Sequence, residues 1–356
     1  MLLALKLMTF SEKILHWYAL NKRALPWRSS QNPYHIWLSE IILQQTRVAQ
    51  GIPYYQKFVT RFPTVVHLAE AQEEEVLKLW QGLGYYSRAR NLHAAAKTVV
   101  TQYNGSFPET YQELIRLKGI GDYTASAIAS ICFAAPEPVV DGNVYRVLAR
   151  YFGIATPINS SEGISYFKTL ARKVMDTKNV RDYNQGIMEF GALQCQPKNP
   201  NCAVCPLANE CNALEKKTIG HLPVKLNRNN IRKRFFNYIV PLAYDKEGKP
   251  RTKLKQRKGK GIWENLYEFP LLETENSVNE KFIWKEIDTV VSHATVQDIY
   301  VYNTTPILHK LSHQHLVVHF WIVSLKEDFP ESLLFSEIER YPVPVLIAEF
   351  INTFKI

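Results

Sequence analysis

Four of the chain's five cysteines fall in one 17-residue segment, Cys195–Cys211, which reads CQPKNPNCAVCPLANEC. A short loop-rich segment of this kind can bring four thiolates together around an iron–sulfur cluster. Four thiolates also suit a structural zinc ion, but zinc ribbons usually pair two Cys-x-x-Cys knuckles across a longer spacer. Only one such knuckle occurs here, and no secretory context supports disulfides. The spacing therefore favours an iron–sulfur cluster over zinc, with the ligands Cys195, Cys202, Cys205 and Cys211.

Two carboxylates stand in segments that could carry acid–base chemistry. Asp141 follows an apolar pair in VVDGNVYRV, where it can cap a helix and lie partly buried near a cleft. Burial would raise its pKa, so staying ionised would require hydrogen bonds or nearby positive charge. Glu40 recurs with Trp37, Gln44 and Arg47 at helical spacing. Such a stripe is usually a solvated helix face, but Glu40 paired with Asp141 would form a two-carboxylate site.

A glycine turn between two helical patterns occurs in LKGIGDYTA, residues 117–125. Gly119 and Gly121 permit positive φ and let a phosphate approach the backbone. The helix that follows offers unpaired N–H groups to that phosphate. This pattern favours a helix-hairpin-helix clamp for a DNA backbone over a plain glycine-rich joint.

A second glycine-flanked loop, GLGYYSRAR at 82–90, presents two tyrosines beside arginines. Side chains on such loops can fill the gap that an extruded base leaves in the stack. The alternative is a loop tyrosine that only covers the core.

The elements that must position these residues are helical from about Ser11 to Asn212. Ser11 is predicted to cap the first helix, and a second helix is predicted from Asn32-Pro33 through Val48. Residues 216–234 are rich in Lys, Arg and Asn and are predicted to be a linker. Short β-type runs follow, with hairpin chemistry at 245–248, which predicts an α+β second domain.

The composition is that of a globular chain with a polyanion partner. The 356 residues allow two domains, and 46% of them are hydrophobic. The net charge of +10 suggests nucleic acid, although it could serve only solubility. The N-terminal apolar run is short and interrupted by Lys6, and no stretch approaches a membrane span. We therefore expect a cytoplasmic protein, nucleoid-associated if bacterial.

Together these segments resemble the endonuclease III superfamily of DNA glycosylases and, within it, the MutY-type adenine DNA glycosylases. The resemblance covers nearly the whole chain. Its matching words are LPWR at 25–28, SEIILQQT at 39–46, GLGYYSRAR at 82–90, LKGIGDYTA at 117–125, VVDGNVYRV at 139–147, and the four spaced cysteines.

The resemblance implies a fold and a domain order. Residues 1–215 would form a mainly α catalytic region. Within it, a six-helix barrel with the helix-hairpin-helix would span about 26–134, and an iron–sulfur domain would be formed by 1–25 and 135–215. After the linker at 216–234, residues 235–356 would form an α+β Nudix-like domain that recognises 8-oxoguanine. One 4Fe–4S cluster, structural and DNA-docking, is implied.

The resemblance also implies catalytic roles. Glu40 would protonate the purine and later activate water, and Asp141 would stabilise or trap the positive sugar. Tyr123 and Asn143 would orient these partners, and the adenine pocket would include Trp27 and Arg28. Related glycosylase-lyases carry a lysine where this chain has Tyr123. A phenol cannot form a Schiff base, so the expected enzyme is a monofunctional hydrolase.

The substrate implied is duplex DNA with adenine opposite 8-oxoguanine or guanine, bound by a monomer. Residues matching DNA contacts are Gln44, Gln45, Thr46, Leu83, Tyr85, Gly119 and Gly121. In the second domain Ser312 and His313 match a Phe-Ser-His word that reads the oxidised base, with Leu311 replacing its phenylalanine. His309, His313, His315 and His319 could be taken for a metal site, but strand-face histidines are the better interpretation. The domain lacks the Nudix run of glutamates that follows a glycine.

Two alternatives remain open at this stage. One is an endonuclease III-like glycosylase-lyase for oxidised pyrimidines, against which Tyr123 and the second domain count. The other is a non-catalytic protein that binds damaged DNA.

Overall fold

A computed structural model describes residues 8–226, 231–291 and 296–356 of the chain. The described residues divide into two compact units. The first comprises 8–70 and 91–226, and the second comprises 71–90 together with the described residues from 231 onwards. Of the predicted linker, residues 227–230 lie outside the described residues, as do 1–7 at the N-terminal run. The predicted domain boundaries stay a prediction.

The N-terminal part of the chain is helical, as predicted. Its helices are α1 (Phe10–Asn21), α2 (Pro33–Leu43), α3 (Val48–Arg61), α4 (Val65–Glu70), α5 (Glu73–Trp80), α6 (Ser87–Tyr103), α7 (Tyr111–Leu114), α8 (Asp122–Phe133), α9 (Gly142–Phe152), α10 (Ser161–Val174), α11 (Val180–Leu193) and α12 (Asn212–Glu215). In the described part of the chain, no helix is both long enough and apolar enough to cross a bilayer.

The first helix begins two residues earlier than predicted. Thr9, not Ser11, is its N-cap, and a capping box forms because Thr9 and Glu12 satisfy each other's backbone N–H groups. The Glu three residues after Thr9 is the signal that favours this position.

The prediction of a single helix from Pro33 to Val48 is wrong, because the helix is interrupted at residues 44–47. Helix α2 ends at Leu43, Gln45 adopts a positive φ of 55°, and Arg47 caps α3. Trp37 is fully buried. The polar stripe proposed on one helix face therefore does not exist as such. The break turns Gln44, Gln45 and Thr46 into a short loop that follows the helix carrying Glu40.

The glycine turn of the predicted helix-hairpin-helix is present between α7 and α8. Gly119 has φ +79°, and a Cβ built there would lie 2.6 Å from the Asn91 Cβ. Gly121 is the N-cap of α8. Only glycine therefore fits position 119 without strain.

Unit two is organised around a mixed sheet. Its strands are β1 (Arg232–Tyr244), β2 (Pro250–Thr252), β3 (Lys255–Gln256), β4 (Tyr267–Glu268), β5 (Leu271–Thr274), β6 (Val296–Val301), β7 (Ile307–Lys310), β8 (Gln314–Leu325) and β9 (Leu333–Leu334). Among these residues the main order is β6-β8-β1-β2-β9, with β5 beside β1 and β7 beside β8, while β3 and β4 pair separately.

The long strands β1 and β8 run parallel, in register from Arg232↔Gln314 to Leu242↔Ser324. The predicted hairpin at 245–248 joins β1 to the antiparallel β2. Helices α13 (Glu280–Glu286) and α14 (Val345–Thr353) complete the α+β unit. One core cluster packs α13 against the sheet through Ile283, Ile239 and Trp321.

Candidate active site

A cavity of about 540 Å³ lies in unit one, a size typical of ligand sites. Its lining comes from the segment after α1, from α2 and the loop behind it, from the starts of α8 and α9, and from α11. Nine sequence-predicted residues line it: Trp27, Arg28, Glu40, Gln44, Gln45, Thr46, Tyr123, Asp141 and Asn143. The two carboxylates that lie 101 positions apart in the chain thus share one cavity.

Glu40 lies on α2 and is only 8% exposed. Burial raises the pKa of its carboxyl to about 7, against the lowering effect of a hydrogen bond from Tyr123. The Tyr123 hydroxyl donates to Glu40 Oε2 over 2.5 Å and also lies 3.2 Å from Met188 Sδ. Tyr123 is half-buried, and desolvation of its hydroxyl raises its own pKa well above the usual value, so it remains a donor at neutral pH. Glu40 is therefore the carboxyl that can carry a proton near pH 7.

Asp141 caps helix α9 as the sequence predicts. Its Oδ1 accepts from the backbone N–H groups of Asn143 (2.9 Å) and Val144 (2.8 Å), and its Oδ2 accepts from Asn143 Nδ2 (2.7 Å). Burial raises the pKa of Asp141, while these hydrogen bonds and the charge of Arg146 oppose the rise. Three donors that are already aligned favour the ionised carboxylate.

Asn143 is itself held in place from the far side. Arg146 Nη2 donates to Asn143 Oδ1 (2.8 Å) and to the Gly191 carbonyl (2.7 Å). The Nε of the same guanidinium donates to the Cys195 carbonyl over 2.7 Å. One buried arginine thus ties the amide that orients Asp141 to the first residue of the cysteine segment.

A third carboxylate, Glu189 on α11, lines the cavity and was missed at the sequence level. It is 1% exposed and accepts paired hydrogen bonds from Arg23 and from Arg28 at 2.6–2.8 Å. Burial alone would raise its pKa, but the two guanidinium groups outweigh it and hold the pKa at about 2. Glu189 therefore stays ionised, and Arg28 is fixed by it at the cavity wall.

Two further residues of α11 also line the cavity. Gln185 lies one helical turn before Glu189, and Met188 is next to Glu189 in the chain. Neither was predicted. The sequence holds no local signal for them, because they look like ordinary residues of a helix that leads into Cys195. A glutamine amide here adds a group that both donates and accepts.

The four cysteines line a single mainly apolar cavity together with Arg150. Arg150 Nη1 lies 3.5 Å from Cys195 Sγ and donates to the Gln196 carbonyl (2.7 Å), and Nη2 donates to the Pro197 carbonyl (3.0 Å). Zn–S bonds of about 2.3 Å would draw the sulfurs close together. Within the described ranges no three His, Cys, Asp or Glu side chains are arranged to hold one metal ion. The four thiols thus line one cavity, with a guanidinium group beside one of them.

The start of α8 carries an acidic residue whose charge is already countered. Asp122 accepts from the Tyr111 hydroxyl (2.7 Å) and from Lys168 Nζ (3.0 Å). A Cβ at Gly121 would meet nothing within 4 Å. The backbone at the predicted phosphate clamp is therefore open to an approaching group.

In unit two a separate cavity of about 500 Å³ brings Tyr85 together with Ser312 and His313. Tyr85 is 47% exposed and has φ +48°. Arg90, Arg234 and Trp263 line the same cavity, and Ser312 Oγ lies 3.4 Å from His313 Nδ1. Leu83 does not join them, because its side chain is 7% exposed in the core. His309 lies on β7, and His315 and His319 lie on β8.

Comparison with known proteins finds a family match in each part of the chain. Residues 38–173 match a family described as HhH-GPD superfamily base excision DNA repair protein, and residues 242–353 match a NUDIX domain family. An adenine DNA glycosylase of Buchnera aphidicola subsp. Schizaphis graminum is 35% identical over 91% of this chain and 90% of its own length. The chain belongs to the adenine DNA glycosylase family.

Other members of the family and of its superfamily are also similar. The human adenine DNA glycosylase is 42% identical over 58% of this chain, which corresponds to 40% of the human protein. Among solved structures, a thermostable thymine-DNA glycosylase aligns at 30% identity with a TM-score of 0.54, covering 58% of this chain and 95% of that one. Endonuclease III in a non-covalent DNA complex, at 23% identity and a TM-score of 0.50, shares the fold over 58% of this chain and 94% of that one. The N-terminal fold and the α+β NUDIX domain are thus confirmed.

Proposed function

We propose that this chain hydrolyses the N-glycosidic bond of adenine in duplex DNA where the adenine lies opposite 8-oxoguanine or guanine. The observation that carries the proposal is Glu40, a buried carboxyl with a pKa of about 7 in the same cavity as Asp141. Two carboxyl groups with different environments are what acid-assisted glycoside cleavage requires. The family relatives, by name adenine DNA glycosylases, support the choice of base.

The first step is proton transfer from Glu40 to the ring of the extruded adenine. A purine leaves poorly as an anion, and protonation makes it a neutral leaving group. At neutral pH a carboxyl with a pKa near 7 is protonated in a large fraction of molecules and still acidic enough to donate. Tyr123 donates to Oε2 of Glu40 and so orients this carboxyl group.

The second step places positive charge on the sugar, and Asp141 stabilises it. The hydrogen bonds from Asn143 and Val144 hold the carboxylate in one orientation before the reaction. Preorganised charge of this kind costs no reorganisation when the bond breaks. Glu40, now deprotonated, then activates the water that attacks the sugar.

Adenine itself would be recognised by side chains on α11 and in the segment that follows α1. A glutamine amide can pair with the N6 and N7 edge of adenine, and Gln185 is such an amide in the cavity. Trp27 offers an aromatic wall, and Arg28 stays fixed by Glu189. A base outside the stack is typically held in this way by hydrogen bonds and stacking.

A lyase step is not part of the proposal, because position 123 is a tyrosine. Its hydroxyl is committed to Glu40, and no phenol forms a Schiff base. We expect borohydride to trap little covalent adduct with abasic DNA, and abundant trapped adduct would favour the glycosylase-lyase alternative.

The base opposite adenine would enter the unit-two cavity beside Tyr85, Ser312 and His313. An oxidised guanine presents added hydrogen-bonding groups, which a serine, a histidine and the nearby Arg234 can match. Ser312→Ala combined with His313→Ala should reduce the preference for 8-oxoguanine over guanine opposite adenine. The matched control is Ser277→Ala with His16→Ala, two exposed positions elsewhere. An unchanged preference in the first pair would contradict this assignment.

We also infer that Cys195, Cys202, Cys205 and Cys211 hold one 4Fe–4S cluster. Such a cluster would cross-link the loop that follows α11, and Arg146 and Arg150 would hold that loop to α9. Iron and sulfide content of the purified protein, with a visible absorption band that Cys202→Ser removes, tests this inference. Stoichiometric zinc in place of iron would contradict it.

The whole proposal is tested by a glycosylase assay on duplexes with adenine opposite 8-oxoguanine, guanine or thymine. Release of free adenine from the first two is expected. Binding of all three duplexes without release of any base would favour the non-catalytic alternative.

A further inference from the structure

A second cavity of unit two, of about 440 Å³, has a strongly cationic wall. Lys255, Arg257, Lys258 and Lys260 line it from β3 and the loop behind β3. None of the functional groups assigned above belongs to it. The roles proposed above therefore do not explain the positive charge of this cavity.

The carboxylates of this cavity are already neutralised. Glu268 accepts from Arg257 Nη1 (2.7 Å) and from the Tyr238 hydroxyl (2.9 Å). Glu273 accepts from Nε and Nη2 of Arg234, at 2.6 Å each. Neither carboxylate is left to hold a divalent metal ion, so the cavity does not suit metal-dependent hydrolysis of a nucleotide.

The three lysines, in contrast, are not paired with these carboxylates, although Lys255 lies opposite Glu268 in the β3–β4 pair. Among the residues that the structure describes, none of Lys255, Lys258 and Lys260 forms a salt bridge, and Lys253 is the lysine bonded to Glu331. Lys255 acts on Glu331 only at longer range. Ammonium groups that line one cavity and form no salt bridge are suited to phosphate, which they bind as point charges.

The loop backbone is also open to an anion. Gly259 and Gly261 have φ of +90° and +151°, and a Cβ at either would meet nothing within 4 Å. Glycines with positive φ turn backbone N–H groups towards one side and permit close approach.

The cationic cavity adjoins the cavity that contains Ser312 and His313. Lys260 lines the first and its neighbour Gly261 lines the second. Arg234 lines the second, while its partner Glu273 lines the first. A DNA strand with one base in the Ser312 cavity would therefore place a neighbouring phosphate near the lysines.

We propose that Lys255, Lys258 and Lys260 bind backbone phosphates of the DNA strand that carries the base opposite adenine. This inference rests on the proposed function, because it assumes that the opposite base occupies the Ser312 cavity. It assigns the lysines to phosphates, which fix register and orientation but carry no sequence information.

The test replaces the three lysines with glutamine in the full chain and measures affinity for a duplex with adenine opposite 8-oxoguanine across a salt series. Each lost phosphate contact lowers the slope of log affinity against log salt by about 0.9, so the triple variant should lose about 2 to 3. The control replaces three exposed lysines, Lys246, Lys281 and Lys326, and should keep the wild-type slope. A triple Lys→Arg variant should restore the slope. Equal slopes for the two glutamine triples would overturn the proposal.

The strand is identified with neutral methylphosphonate linkages placed one at a time in either strand. Linkages near the 8-oxoguanine should weaken wild-type binding and leave the glutamine triple unaffected. Sensitivity confined to the adenine strand would overturn the strand assignment. So would lysine-dependent binding of a free nucleoside triphosphate without any change in the duplex slope.

The glycosylase activity and the phosphate site are tested separately by these measurements. If the wild type releases no adenine, the proposed function fails whatever the slopes show. If it releases adenine and the lysine triple keeps the full salt slope, only the phosphate site fails.

Discussion

Glu40 combines two properties that rarely occur together in a carboxyl group. It is almost fully buried, and it still faces the cavity that Asp141 shares. Burial keeps the proton of Glu40 near neutral pH, whereas Glu189 in the same cavity is ionised because two arginines hold its pKa at about 2. One cavity thus contains a carboxyl group that can be protonated and carboxylates that stay charged. The surroundings of each group decide whether it is protonated near neutral pH.

A raised pKa has a cost in stability that can be measured. Ionised Glu40 is disfavoured in the folded protein, so stability should fall as pH rises from about 4.5, the unfolded value, to about 7, the folded value. Glu40→Gln removes this loss. The variant should gain about 3 kcal/mol over wild type at pH 8 and almost nothing at pH 4.

Urea unfolding of both proteins across this pH range checks the prediction. Stability curves that run parallel from pH 4 to pH 8 would mean that Glu40 titrates normally.

Tyr123→Phe should shift the pH dependence of base release. The hydrogen bond from Tyr123 lowers the pKa of Glu40, so its loss should raise that pKa further and move the alkaline limb of the rate profile to higher pH. Tyr183→Phe is the matched control, because its buried hydroxyl has no hydrogen-bond partner among the described residues. Single-turnover rates at several pH values test both, and an unmoved limb in the Tyr123 variant would contradict the role of the bond.

The sequence could indicate Glu40 and Asp141 because each stands in a distinctive word. It could not indicate Glu189 or Gln185. On α11 these residues look like an ordinary polar helix face, and the arginines that hold Glu189 lie more than 160 positions away. Contacts of that range carry no local pattern.

Helix ends position most of the site. Asp141 is the N-cap of α9, Gly121 is the N-cap of α8, and the loop at 44–47 follows the end of α2. The two caps could be predicted from residue type. The break after Leu43 could not, because no glycine or proline marks it and a glutamine seldom adopts positive φ.

Substitutions at the two glycines of the turn between α7 and α8 should affect folding and DNA binding differently. Gly119→Ala forces a positive φ on alanine and a clash with Asn91, so the free energy of unfolding should fall by 1 kcal/mol or more. Gly121→Ala meets no neighbour, so it should mainly weaken duplex binding where a phosphate approaches. Chemical unfolding and duplex titration of both variants distinguish the effects. Equal stability losses would contradict the assignment.

At the scale of the whole molecule, charge and the division of the chain matter most. The net charge of +10 predicted a polyanion, and membership of a DNA glycosylase family agrees with it. The sequence did not indicate that residues 71–90 would group with the C-terminal residues. Their contacts explain it, since Asn265 bonds Glu73 and Lys78 bonds the Tyr341 carbonyl. Such pairing between distant segments has no periodic signal.

Duplex affinity of the whole chain should therefore fall steeply with salt. If about six phosphates are neutralised, affinity should drop about a thousandfold between 50 and 200 mM salt. Titration of one labelled duplex at several salt concentrations measures the slope. A flat response would contradict a phosphate clamp.

The most direct test of the account is the single-turnover release of adenine from a duplex with adenine opposite 8-oxoguanine, measured from pH 5 to pH 9. Wild-type rates should fall as pH rises through about 7, because the acid loses its proton there. Glu40→Gln should bind the duplex and release no adenine at any pH. A variant that keeps the wild-type rate, or a wild-type rate that shows no decline above pH 7, would contradict Glu40 as the acid.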